Sequence, residues 1–150
     1  MPDLPPPAPS LPRRMACLLY ESLILAALVL VATFPFLAFA GDSTAGIRRH
    51  LLQAWVVLVV GAYLAGFWAR GGQTLAMKTW RIRVESADGG PVAPWQAVRR
   101  YLFAWAGAAA LGLGFLWAFL DREGQFLHDR LAGTRLVDTR REEGRSRGPG

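Results

Sequence analysis

The sequence predicts an all-α membrane protein with three transmembrane helices and a short polar connection able to hold a small β-hairpin. Three observations predict it. Tyr101–Leu120 is a run of twenty residues without a charge, bracketed by Arg99-Arg100 and Asp121-Arg122. Met15–Phe34 and Leu51–Ala69 are two further long apolar runs. Hydrophobic residues make up 53% of the chain, and the mean hydropathy is positive. About 20 helical residues cross the hydrocarbon core of a bilayer, and inside lipid the backbone must satisfy its own hydrogen bonds, so such runs read as helices.

Each element follows in order. Met1–Pro12 holds six prolines and is expected to be a disordered tail. Met15–Phe34 is apolar apart from Glu21, Ser22 and Thr33, and Pro35 is expected to end or kink its helix. A secretory signal competes for this stretch, with Arg13-Arg14 as a basic start and Ala38-Phe39-Ala40 resembling a cleavage site. The apolar run is too long for that, carries a glutamate, and is followed by two more spans. Gly41–His50 is a polar turn. Leu51–Ala69 follows, with Trp55, Tyr63 and Trp68 expected as interfacial anchors. Gly61, Ala65 and Ala69 recur at four-residue spacing, as do Ala106, Ala110 and Gly114. Small residues so spaced let helices approach, so these faces are expected to meet.

The connection from Arg70 to Arg100 spans 31 residues, too long for a structureless loop. Gln73–Thr79 reads as a short helix after Gly71-Gly72. Trp80–Ser86 alternates as a strand does, Ala87-Asp88-Gly89-Gly90 signals a turn, and Pro91-Val92 offers a return strand. Pro94 suits the first turn of the last helix. Beyond Leu120, Phe126–Leu131 reads as a helical turn ended by Gly133 and Thr134–Thr139 as a short strand. Residues 139–150 are expected to be a disordered charged tail.

Charge and cysteine content exclude several classes. The net charge of +6 comes from 17 basic against 11 acidic residues. No RNA- or DNA-binding motif accompanies it, so basic residues at membrane edges explain it and no nucleic-acid partner is expected. Cys17 is alone, which rules out an internal disulfide. Two histidines and one cysteine give no metal-ligand spacing, and nothing calls for a cofactor.

Three blocks resemble the RDD family of small bacterial integral membrane proteins: Arg13–Leu25 (RRMACLLYESLIL), Gly71–Val84 (GGQTLAMKTWRIRV) and Asp121–Val137 (DREGQFLHDRLAGTRLV). The resemblance spans residues 13–138 and implies one membrane domain. The family is named for one arginine and two aspartates. The arginine maps to Arg14 and the second aspartate to Asp129. The first falls at Glu21, which keeps the charge but places the carboxylate one methylene further out. The resemblance implies a multi-pass protein of the bacterial cytoplasmic (inner) membrane, with a lean toward transport or ion exchange.

Three residues stand as a candidate ion or proton site: Glu21, Arg14 and Asp129. Glu21 lies seven residues beyond Arg14, about 10 Å along a helix, and so inside the hydrocarbon. A carboxyl there is costly unless it is neutral, paired or facing water, and such groups mark ion paths or structural ion pairs. Arg70, Arg99, Arg100 and His128 are its candidate partners. Arg14 is expected to snorkel to the headgroups. Asp129 is expected to cap or to pair with Arg130, Arg135 or a basic residue of the 70–100 connection. His128-Asp129 lacks a nucleophile with a known motif, so an enzyme is not expected. Arg81 and Arg83 share a strand face and suit anionic headgroups. Two functions survive: a transporter or ion exchanger, working as a homo-oligomer or with a partner membrane protein because three helices enclose no pore, and a non-enzymatic scaffold or assembly factor.

Sidedness is undecided by charge. With three crossings, eight basic residues fall on the amino-terminal side and nine on the other. The first span favours a cytoplasmic amino terminus and an external carboxyl tail. If the two strands paired with each other, both would lie on one side, and Tyr101–Leu120 would be a re-entrant hairpin turning near Leu111–Gly114. A straight crossing is preferred for a charge-free twenty-residue run.

Overall fold

The computed structural model describes residues 8–41, 46–110, 116–117, 120–121 and 125–140. Two long helices carry the fold: α1, Leu11–Ala40, and α2, Gly46–Gly71. At 1.5 Å per residue they measure about 45 Å and 39 Å, more than the ~30 Å hydrocarbon core. Both are apolar enough to cross a membrane. Leu19, Leu23, Leu30, Val31, Phe34 and Leu58 on them are exposed. A water-soluble protein would bury such residues, so their natural solvent is lipid.

Both helices outrun their expected bounds. Leu11 and Pro12 form the first turn of α1 rather than part of the tail. Pro35 lies inside α1, which continues to Ala40. The Trp55 indole of α2 donates to the Ala32 carbonyl at 2.9 Å, one turn before Pro35, in the region where the proline disturbs the ladder. Trp55 thus ties α2 to α1, and Trp68 is buried. α2 begins at Gly46, inside the expected polar turn, because Ile47 to His50 continue its helical frame. The expected tails at 1–7 and 141–150 lie outside the described residues.

The connection after α2 packs as a small cap. Thr74 accepts from Met77 N and opens α3, Leu75–Trp80. Strand β1, Ile82–Ser86, follows. Its partner is not Pro91-Val92, which form no strand. It pairs antiparallel with β2, Thr134–Asp138, from Ile82 opposite Asp138 to Ser86 opposite Thr134. A two-stranded sheet needs cover on one face, and Ile82, Val84 and Leu136 bury theirs against the helices. Gly72 holds φ +68° with its Cβ position 2.3 Å from the Val84 carbonyl oxygen, so no other residue fits there. Gln125 exchanges two bonds with Leu136, its amide donating to the carbonyl at 3.2 Å and its oxygen accepting from the backbone N–H at 2.9 Å. That covers the free edge of β2.

α4, Pro94–Ala109, opens with the expected proline in its first turn and packs on α2. The Tyr101 hydroxyl donates to the Val57 carbonyl at 2.7 Å, and the Tyr101 ring lies where a Cβ at Gly61 would come within 2.8 Å. Gly61 therefore does permit the close approach expected of it. The matching face on α4 does not take part: Ala106 and Ala110 are exposed, and Gly114 lies outside the described residues.

The expected third span is not one straight helix. α4 ends at Ala109, where Ala110 turns out of helical geometry with ψ 38°. From Tyr101 to that point the helix advances about 12 Å, under half the hydrocarbon core. The short helix α5, Leu127–Ala132, then leads into β2, ended by Gly133 at φ +68° as expected. Because β1 and β2 pair, and because Asp121 binds Arg130 while Arg100 binds Asp129, both ends of Tyr101–Leu120 return to the sheet. The expectation of a carboxyl end opposite the connection fails for that reason. The turn near 111–114 lies outside the described residues.

Candidate functional site

α1, α2 and α4 surround a cavity of about 410 Å³, with α3, the sheet and the α5 segment closing one end. Its walls are mostly apolar, with Leu18, Leu25 and Leu64 among them, yet Arg14, Glu21, Arg100 and His128 also line it. That combination, a concave apolar site with a few convergent polar groups, is the usual form of a small-molecule site.

Glu21 sits on the inner face of α1, 8% exposed. The Thr74 hydroxyl donates to its Oε2. The Tyr63 hydroxyl approaches the same carboxyl without reaching hydrogen-bond geometry, and Oε1 has no hydrogen-bond partner among the described residues. The carboxyl therefore faces other helices and a polar side chain, as expected. None of its expected partners reaches it. Arg70 is exposed at the end of α2. Arg99 donates to the Leu131 carbonyl at 2.7 Å and stacks on Trp95 at 4.7 Å. Arg100 and His128 belong to Asp129.

Arg14 does not snorkel. It is 3% exposed, because α1 begins beneath the α5 segment rather than at a free membrane edge. Its Nε donates to the Pro9 carbonyl at 2.8 Å, and its guanidinium lies over the Phe126 ring at 5.7 Å. Nη1 has no hydrogen-bond partner among the described residues.

Asp129 does both things expected of it. Its Oδ2 accepts from the Phe126 N–H at 3.2 Å and caps α5, while Oδ1 pairs with Arg100. Arg100 also donates to Thr134 Oγ1 at 3.1 Å and covers the Trp68 ring at 4.7 Å. Full burial pushes the Arg100 guanidinium below its ordinary value, and Asp129 opposes that shift. His128 lies 3.5 Å from Asp129 and stacks on Phe126. Burial lowers its pKa to about 4, against the pull of Asp129 and with the help of the Arg100 charge, so it is neutral at pH 7.

The structure thus brings Arg14 and Glu21 to one cavity wall and sets Asp129 behind Arg100 and His128. Thr74 and Trp68 were missed as site residues. Thr74 was readable only through its place in the GQTLAMK block, since a threonine before a helix looks like a simple cap. Arg13 was missed as a clasp: it bonds Asp138 and the Trp80 carbonyl, fastening α1 to the sheet. Arg83 turns to Glu85, with bonds of 2.6 and 3.1 Å. Among the described residues no group of three or more His, Cys, Asp or Glu could hold a metal ion.

The model of the RDD family matches residues 8–133. The chain belongs to the RDD family. No curated protein and no solved structure matches it. Arg14 and Glu21 face the shared cavity, and Asp129 anchors the helix end and the arginine beside it. Membership and the two lipid-compatible helices together make this RDD chain a membrane protein.

Proposed function

We propose that this RDD protein is an ion or proton exchanger of the bacterial cytoplasmic membrane, with Glu21 as the exchanging carboxyl. The observation that carries the reading is the Glu21 environment. A carboxyl at span depth is held on one oxygen by Thr74, while the other oxygen is unpartnered at a cavity wall. A purely structural ion pair would place a cation there, and among the described residues Glu21 makes no salt bridge. An intramembrane carboxyl without an ion-pair partner is the kind of group that loads and releases protons or cations. Arg14, about two turns away, supplies fixed positive charge on the same face. Neither enzyme chemistry nor a cofactor enters this reading. Two spanning helices are too few to enclose a pore, so in this reading the working unit is a homo-oligomer or a complex with a partner membrane protein.

The experiment is exchange in proteoliposomes that enclose a pH-sensitive dye. An imposed sodium or potassium gradient is expected to move protons with the native protein and not with Glu21→Gln. Equal exchange by both would remove the reading's support. A scaffold role is the second reading. It is favoured by one feature, the exposed stripe Trp95, Val98, Leu102 and Trp105 on α4. If Glu21→Gln keeps full function in cells and still retains a partner on affinity capture, the scaffold reading replaces exchange.

A further inference from the structure

We propose that the cavity binds an anionic single-chain amphiphile taken from the bilayer, with its carboxylate beside Arg14 and its alkyl chain along the leucine wall. The chemistry at the two ends of the cavity carries this. At the sheet end, Arg14 Nη1, Arg100 Nε and Trp68 Nε1 are all buried donors without a hydrogen-bond partner among the described residues. All three side chains line the cavity. A buried donor left unmade is costly, most of all on a charged group. Against these three donors the carboxylate oxygen that the lining leaves without a hydrogen bond is Glu21 Oε1. The surplus therefore calls for a ligand that brings acceptor oxygens.

Charge selects among such ligands. The Arg100 charge is met by Asp129. Arg14 has a carbonyl and an aromatic face as its contacts, and no ion pair with an acidic side chain among the described residues. Asp129 and Asp121 act on Arg14 only through space, so a single negative charge at the cavity wall would give it a direct pair. A carboxylate matches the arginine fork and carries one charge. A phosphate monoester carries nearly two, which the nearby Glu21 disfavours.

The rest of the cavity is apolar. Leu18, Leu25 and Leu64 form that part, and Ser22 beside them is exposed. The cavity therefore reaches the surface on the lipid-facing side of α1. A ligand entering there would slide in headgroup-first from the membrane, with its chain left against leucine. Binding requires no exchange at Glu21, so this assignment goes beyond the exchanger reading and stands apart from it.

The test uses the full chain purified in a maltoside detergent, with dodecanoate added below its critical micelle concentration and thermal unfolding as the readout. Dodecanoate is expected to raise Tm saturably, whereas dodecanol and dodecyltrimethylammonium leave it unchanged. Arg14→Gln is expected to weaken dodecanoate binding at least tenfold, and Glu21→Gln to retain it. An equal rise with dodecanol or the cationic amphiphile would reduce the effect to partitioning and overturn the site. An unchanged shift in Arg14→Gln would overturn the role of the arginine. A shift with dodecyl phosphate and none with dodecanoate would overturn the carboxylate assignment. If Arg14→Gln does not fold, Leu25→Trp, which fills the apolar part, carries the test: a retained shift there refutes the proposal. Loss of proton exchange in Glu21→Gln with dodecanoate binding intact would separate this site from the exchange function.

Discussion

Arg100 of α4 and Asp129 of α5 form an ion pair with almost no access to water, at 2% and 0% exposure. The pair joins the start of the long apolar run to the segment that follows it. It also fixes the geometry of the cap: Asp129 holds the first turn of α5, and Arg100 covers Trp68. The desolvation cost of such a pair is offset only while both partners are present.

Removing one partner is therefore expected to be severe. Asp129→Ala strands a buried guanidinium and uncaps α5, for a loss of about 3–5 kcal/mol. Combining it with Arg100→Met should recover a large part of that loss, since no charge is then left unpaired. Thermal unfolding of the three proteins in one detergent checks this. A double variant as unstable as Asp129→Ala would contradict the pairing.

His128 makes stability depend on pH. Its pKa is lowered from 6.5 to about 4 on folding, so between those values the unfolded chain binds a proton that the folded chain does not. The stability due to its neutral form is complete above pH 6.5 and declines as pH falls toward 4. The limit is about 3 kcal/mol. His128→Gln is expected to flatten the change in Tm between pH 7 and pH 5. A slope identical to that of the native protein would show that other groups cause it.

Gly72 is the tightest backbone position in the cap. A methyl group there meets the Val84 carbonyl at 2.3 Å, and φ is +68°. Gly72→Ala is expected to cost about 1–3 kcal/mol from conformational strain alone, with more from the clash. Gly71→Ala, where no atom lies within 4 Å of the added methyl, should be nearly silent. The ratio of the two losses in a denaturation series is the measurement.

Topology is the prediction with the widest reach. With β1 and β2 paired, the amino terminus, the 70–100 connection and the carboxyl segment share one side. Among the described residues every basic one except Arg48 and Arg49 then falls on that side, and the positive-inside tendency places it in the cytoplasm. In a Cys17→Ala background, single cysteines at Asp88 and Arg140 are expected to resist an impermeant thiol reagent in intact cells and to react after permeabilisation. Labelling of Arg140→Cys from outside would restore the straight third crossing.

By itself the sequence determined the two long helices, the two strands (expected at Trp80–Ser86 and Thr134–Thr139 and found at Ile82–Ser86 and Thr134–Asp138), the α5 turn ended by Gly133, and the inward aim of Glu21. Each of these is a local or one-sided property: an apolar length, an alternation, a cap, or the cost of a carboxyl in lipid. Only the tertiary structure decided which strand β1 pairs with. Pro91-Val92 was nearer in the chain and β2 was nearer in space, and strand partnership is a long-range choice that alternation does not encode. That one pairing then reversed the expected fate of Tyr101–Leu120, because composition measures whether a run suits lipid and not whether it passes through. The same holds for the site. The charge on Arg14 was legible, but its burial beneath Phe126 depends on a segment more than a hundred residues away. An arginine at a helix start snorkels unless another part of the chain covers it, and no property of Arg13–Leu25 specifies that cover.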